Sequence, residues 1–248
     1  MSGATPSPSI SFHDFEQAGW QRAATSYHDG FGPITSQVVQ PLLDAARVGK
    51  GTRLLDVASG PGYGSAGAAV RGAIVIGMDF SGEMVALARR LHPDIEFREG
   101  DAQAMPFRGR ALRRRDDVLP GRTSLRTRAG ARGGARVLRR GGRLAFTWWQ
   151  TPDKAVGFGI IREALQRHGR TDVGLPEDRR SSSTPIPRSA ASAWSPPASE
   201  TSPSEPVVLT WRAASPEDMF DTYFRASVRT GGAAARRRRR SWPRSAPR

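Results

Sequence analysis

RLLDVASGPGYGSAGAAVRGAIVIGMDFSGEMVALARRLHPDIEFREGD, residues 53–101, alternates short apolar runs with helix-forming stretches. RLLDVA (Arg53 to Ala58) is bounded by Gly51 and Gly60, the form of a strand buried on both faces. A Gly-rich turn and an Ala-rich helical stretch lead to a second run, AIVIGMD (Ala73 to Asp79). A helix then opens at Ser81, whose side chain can cap free amides, with Met84, Val85, Leu87, Ala88 and Leu91 as its apolar stripe. A third run, IEFREGD (Ile95 to Asp101), ends in another acid. Strand, helix, strand, helix, strand over this length predicts a parallel βαβαβ half of a doubly wound α/β sheet.

Chemistry concentrates in LLDVASGPGYGS, Leu54 to Ser65. A strand that ends in Asp56 and runs into Gly60, Gly62 and Gly64 puts a side-chain-free turn at the mouth of the sheet, where a ligand can approach the backbone closely. That is a nucleotide site by geometry; a merely tight strand-to-helix turn is the plain alternative. Asp79 ends the second strand, where a carboxylate can accept both hydroxyls of a ribose. Asp101 ends the third, positioned to accept from an exocyclic amine. Any one of these acids could be a solvated strand end, but three on the carboxyl edge of one parallel sheet point to a ligand.

These residues resemble the class I S-adenosylmethionine-dependent methyltransferases, of the small-molecule type related to the ubiquinone and menaquinone C-methylating group. In that family the first strand and loop read as an acid, three residues, then Gly-x-Gly-x-Gly, and Asp56 with Gly60, Gly62 and Gly64 fits. The resemblance implies a Rossmann-like methyltransferase fold, S-adenosyl-L-methionine as cofactor and a small-molecule methyl acceptor. It implies that Asp56 and the Gly60 to Gly62 backbone face the methionine portion, Asp79 the ribose hydroxyls, and Asp101 with the Ala102 amide the adenine. Ala58 and Phe80 complete the implied cofactor-binding set. GRLAFTWWQ (142–150) resembles the family's fifth strand, and the N-terminal helices with Tyr27, Phe31 and Pro33 look like a substrate-side cap. The resemblance is good over 15–107, fair over 137–176 and 206–229, and absent elsewhere. A dinucleotide is the other cofactor to weigh, but its fingerprint wants a third Gly where Ser65 stands, and Asp56 would repel a pyrophosphate.

Methyl transfer is an in-line displacement at a sulfonium carbon, so acceleration can come from holding the acceptor about 3 Å from the methyl, and no catalytic residue is singled out. His28 and Tyr27 are conceivable proton acceptors or substrate contacts, with a surface or core role as the plainer reading. Trp148 and Trp149 could line an acceptor pocket, but adjacent strand residues point opposite ways and core packing competes.

Outward from this centre the chain divides into a 1–11 Ser/Pro-rich end, a 12–50 helical cap, a 51–176 cofactor-binding domain, a 177–204 low-complexity linker, a 205–229 strand and helix, and a 230–248 basic tail. In the cap, apolar residues at helical spacing predict two or three helices punctuated by Pro33 and Pro41. AVGFGIIREALQRHG (155–169) reads as an amphipathic helix, PVVLTWR (206–212) as strand-like, and SPEDMFDTYFRASVR (215–229) as a helix starting at Pro216.

Leu, Ile, Val and Phe are only 46 of the 248 residues, and the net charge is +15. Little apolar content with high charge makes a uniformly folded chain doubtful. The charge is concentrated: 12 Arg against 2 Asp in 108–140, and 8 Arg with no acid in 229–248, so the remainder is slightly acidic. Of 38 basic residues only Lys50 and Lys154 are Lys, a bias traceable to GC-rich coding DNA. No Cys is present, which excludes thiolate metal sites and a Cys nucleophile, and the four His show no metal spacing. No stretch approaches the ~20 apolar residues that span a bilayer, and a soluble, cytoplasmic protein is expected.

Residues 108–136 hold ten Arg in 29 residues where the resemblance calls for an apolar fourth strand. Unpaired guanidinium groups inside a sheet would each cost several kcal/mol, so the fourth strand is expected to be damaged or missing. Stretches 108–136, 180–204 and 230–248 look like the products of shifted reading frames. As nucleic-acid arms they lack, in 108–136, the aromatic residues that stack bases. The expected function is small-molecule methyl transfer, with no membrane and no specific nucleic-acid partner. The alternative is a catalytically impaired methyltransferase-like or frameshifted product that binds nucleic acid nonspecifically.

Overall fold

The computed structural model describes residues 10–105, 116–120, 137–138, 142–151, 153–168 and 205–229. The expectations for the 177–204 linker, the 230–248 tail and the Arg-rich runs on either side of 116–120 lie outside the described residues. Four parallel strands form one sheet: β1 (Arg53–Val57), β2 (Ile74–Asp79), β3 (Glu96–Glu99) and β4 (Asp116–Pro120), in the order β3-β2-β1-β4. The register sets Asp56 beside Gly77 and Gly77 beside Phe97, so the ends of β1 and β2 open on one edge.

Strand β1 is flanked on both sides by strands and covered on both faces, as its unbroken apolar run requires. Alternation sends Leu55 and Val57 to a core with Met78, Ala102, Met105 and Val137, and Leu54 to one with Leu43, Ala46, Val48 and Ala68. Leu55 is 1% exposed, and its truncation to Ala would cost about 2–5 kcal/mol.

Three helices precede the sheet: α1 (Phe12–Gly30), capped by the Ser11 side chain, α2 (Gly32–Thr35) and α3 (Val39–Ala45). Pro33 and Pro41 fall in the first turns of α2 and α3, where a missing N–H is harmless. Between the strands run α4 (Tyr63–Val70) and α5 (Gly82–Leu91). The Ser81 hydroxyl caps α5 by accepting from Met84 N–H, and Glu83 in the first turn and Arg89 and Arg90 in the last oppose its dipole favourably. Helices Val156–His168 and Pro216–Ala226 follow; the second is capped by Ser215 with Pro216 in its first turn. Phe31, Trp149, Phe158, Trp211 and Tyr223 form an aromatic cluster joining these helices to α1 and α2. No helix among the described residues is long and apolar enough to cross a membrane.

Three expectations need correction. A fourth strand is present: DDVLP (116–120) pairs in parallel with β1 from Arg53↔Asp116 to Val57↔Pro120. The argument from buried guanidinium groups fails because the Arg run 113–115 stops one residue before the strand and the strand contains no Arg. The fifth strand shrinks to a single bridge at Leu144. Alternation survives there, with Leu144 against the Leu55 core and Ala145 in the Leu54 core. Residues 206–212 are not a strand either. At Thr210 the Gln37 side chain replaces a neighbouring strand, donating from Nε2 to the carbonyl and accepting from the N–H, both at 2.9 Å.

Candidate functional site

Three left-handed residues in five shape the loop after β1: Ala58 (φ 57°), Gly60 (φ 52°) and Gly62 (φ 86°). Ser59 N–H donates to the Met78 carbonyl (3.0 Å) and Gly62 N–H to that of Ser59 (2.9 Å), fixing the loop across the mouth of β2. The glycines turn out to have separate reasons. A Cβ on Gly60 would meet nothing within 4 Å, so the backbone there faces open space. One on Gly62 would strike Phe97 at 2.7 Å and His92 at 3.0 Å, and one on Gly64 would strike Asp56 Oδ2 at 2.9 Å. The backbone at Gly60 is therefore open to approach, whereas packing excludes a side chain at Gly62 and Gly64. The Ser59 hydroxyl is buried and without a partner among the described residues. A buried donor left unpaired costs about 1–3 kcal/mol, and a polar ligand on this loop would relieve it.

Asp56 is buried beneath the loop, where the Ser65 hydroxyl donates to its Oδ2 at 2.8 Å. Burial pushes its carboxyl up to about 7; the Ser65 hydroxyl and N–H pull the other way, and nearby Asp79 adds to the rise. This carboxylate takes one N–H from the first turn of α4, and its charge at that helix end, once ionised, would repel a pyrophosphate, which weighs against the dinucleotide reading.

Asp79, 5% exposed, spends its carboxylate on backbone: Oδ2 accepts from Gly60 N–H and Oδ1 from Ser81 N–H, both at 2.9 Å. Burial pushes it up to about 6, opposed by these amides and that of Phe80, while Glu99 adds to the rise. With three amides on about four lone-pair sites, one site remains to accept a hydroxyl donor. Asp101 is partly exposed; Oδ1 accepts from Gln103 N–H (2.8 Å) and Oδ2 lies 3.1 Å from His13 Nε2. Ala102 begins the short turn after Asp101 with its side chain in the core. Phe80 meets His13 edge-on at 5.8 Å.

Of the two cap residues singled out, His28 lies at the loop and Tyr27 does not. His28 Nδ1 is 2.6 Å from the Tyr63 hydroxyl, whose proton is held because burial pushes Tyr63 up to about 12. The Tyr27 hydroxyl instead donates to Thr35 Oγ1 (3.3 Å), and its ring packs on Trp20 and Phe31. Trp149 packs edge-on against Phe158 at 4.5 Å, within the aromatic cluster.

The sequence reading missed the contribution of α1. His13, Gln17 and Gln21, four residues apart on one helix face, dock on Asp101, on the Phe80 carbonyl (2.9 Å) and on Ser81 and Glu83 (3.1 and 2.8 Å). The polar i, i+4, i+8 stripe was visible, but nothing in it named a partner. Asp56, Ala58, Gly60, Asp79, Phe80 and Asp101 thus line one sheet edge with α1 across it, an arrangement of acceptors suited to a hydroxylated, cationic nucleoside derivative.

Known proteins with similar sequences include methyltransferases. The methyltransferase domain family matches residues 54–142. The chain is 39% identical over 114 residues to the demethylmenaquinone methyltransferase of Beutenbergia cavernae, covering 44% of this chain and 46% of that one. It is 31% identical over 126 residues to that of Paenarthrobacter aurescens, covering 51% and 50%. The chain spans about half the length of the curated relatives it matches. Among solved structures, the cyclase SpnF aligns over 56% of this chain and 60% of its own, at 18% identity and a TM-score of 0.49. Residues 54–142, which carry the glycine loop and the buried acids, thus match the methyltransferase domain family, and about half of the chain is similar to demethylmenaquinone methyltransferases.

Proposed function

We propose that this chain binds S-adenosyl-L-methionine on the β1–β2 edge and transfers its methyl group to a small molecule. The observation that carries the reading is the Asp79–Gly60 hydrogen bond: the acid at the end of β2 and the loop after β1 are one unit, with open space above Gly60. The cofactor, when bound, supplies an electrophilic methyl on a sulfonium. Asp56 and Asp79 supply negative charge beside that cation once ionised, and Asp79 retains an acceptor site for a ribose hydroxyl. Ser59 Oγ offers an unspent donor and acceptor on the same loop. We assign uptake of the proton that the acceptor releases to His28, on the support of its position beside Tyr63, next to the loop. The first acceptor to try is demethylmenaquinone, the compound in the relatives' name.

Calorimetric titration with S-adenosylhomocysteine, in salt sufficient to suppress charge-driven association, tests the reading. Saturable binding by the full chain, weakened tenfold or more (about 1.4 kcal/mol) in an Asp79→Ala variant that still unfolds cooperatively, is expected. A folded chain that does not bind rejects it.

A further inference from the structure

We propose that His13 is a built-in competitor for the base end of the cofactor site, and so sets the cofactor's affinity. The inference rests on the reading above and on the expectation that Asp101 faces the adenine, to which it adds Phe80 as the base's aromatic neighbour. Between those two residues the structure places an imidazole: Nε2 is 3.1 Å from Asp101 Oδ2, and the ring meets Phe80 edge-on at 5.8 Å. A purine with an exocyclic amine would use the same two features, a carboxylate oxygen for its N–H and an aromatic edge for its ring. Asp101 Oδ1 accepts Gln103 N–H at 2.8 Å, and His13 lies on Oδ2, the oxygen that no backbone amide engages, so a base directed at Oδ2 meets the imidazole.

The imidazole is presented rather than stray. One turn on, Gln17 Nε2 donates to the Phe80 carbonyl at 2.9 Å. Two turns on, Gln21 Oε1 accepts from the Ser81 hydroxyl and from Glu83 N–H at 3.1 and 2.8 Å. These bonds hold α1 across the edge and give His13 a high effective concentration at Asp101. The side chain itself is 38% exposed, with its Nδ1 3.3 Å from Asp14, so it can rotate to solvent when a base takes its place. The helix cap does not depend on it, because Ser11 accepts from Asp14 N–H.

The test is calorimetric titration of the full chain and its His13→Ala variant with two ligands, S-adenosylhomocysteine and S-ribosylhomocysteine, which lacks the base. His13→Ala is expected to tighten S-adenosylhomocysteine by about threefold to tenfold, the worth of one hydrogen bond, and to leave S-ribosylhomocysteine unchanged. His13→Gln, which keeps a donor within reach of Asp101, is expected to fall between and serves as the second variant should Ala disturb the first turn. Wild-type binding of S-adenosylhomocysteine that His13→Ala leaves equal or weaker overturns the competitor role alone. An equal gain for both ligands also overturns it, since the effect would then come from the position of α1. Absence of S-adenosylhomocysteine binding by the folded wild type overturns the cofactor reading and this inference together.

Discussion

Asp79 Oδ2 accepts the Gly60 N–H at 2.9 Å while its Oδ1 accepts that of Ser81 at the same distance, so one buried carboxylate sets both the path of the glycine loop and the entry to α5. Asp79→Asn turns an NH₂ donor against one of those amides and leaves it unpaired. The expected loss is about 1–3 kcal/mol of unfolding free energy, read from the urea midpoint. A variant as stable as wild type would show that the loop keeps its path without this bond.

The two buried acids give stability a pH slope of known sign. Asp56 is pushed up to about 7 and Asp79 to about 6, whereas both titrate near 4 when unfolded. Between those limits the folded state binds protons that the unfolded state has released. Their contribution is therefore fully present below about pH 4 and is lost as pH rises through 6 to 7. Urea midpoints at pH 5 and pH 8 should show the fall, and Asp56→Asn should flatten its upper part. Bound S-adenosylmethionine, a cation beside these acids, should make the fall shallower. An Asp56→Asn slope identical to wild type would remove Asp56 as a source.

What could be read from the sequence follows from how local each signal is. Strand β1 and the helix start at Ser81 were legible because burial on two faces and a side-chain cap are written into neighbouring residues. Strand β4 was not, because Arg113 to Arg115 adjoin Asp116 to Pro120 and the strand itself opens on two acids, and only its pairing with β1 shows that it begins after the last of these Arg. The distinct tasks of Gly60, Gly62 and Gly64 were hidden for a related reason: Phe97 and Asp56, which exclude a Cβ at two of them, reach the loop through tertiary packing. His13 belongs to the same class, a helix residue whose partner lies 88 positions away.

Ala58 stands at φ 57°, beside Asp56, in a region that L side chains enter at a cost of roughly 1–2 kcal/mol. Replacing it with Gly removes that strain but adds about 0.4–1 kcal/mol of unfolded-state entropy. The strain term is the larger, and Ala58→Gly should stabilise the chain by about 0.5–1 kcal/mol. Ala58→Val, branched at Cβ, should destabilise it by about 2 kcal/mol or more. Thermal unfolding of the two variants checks both signs. A Gly variant less stable than wild type would mean that the loop's conformation is not strained by Ala.

Glu16 is 5% exposed on α1 and has two donors: Arg229 Nε at 2.9 Å and Trp20 Nε1 at 3.2 Å. Arg229, following the C-terminal helix, also lies over the Phe12 ring at 4.8 Å, so its guanidinium ties the two ends of the described fold together. Removing one member of a fully buried pair costs about 3–5 kcal/mol because the other charge is stranded. Arg229 is about a third exposed, and water reaching it discounts that figure, so Arg229→Ala should cost about 2 kcal/mol. Glu16→Gln keeps an acceptor for Trp20 while removing the charge. The double variant Glu16→Gln, Arg229→Ala should therefore recover most of the loss, and denaturant midpoints for the four proteins of this cycle measure the coupling directly. Additive losses would place the cost of Arg229→Ala in lost packing on Phe12 instead of in the stranded Glu16 carboxylate.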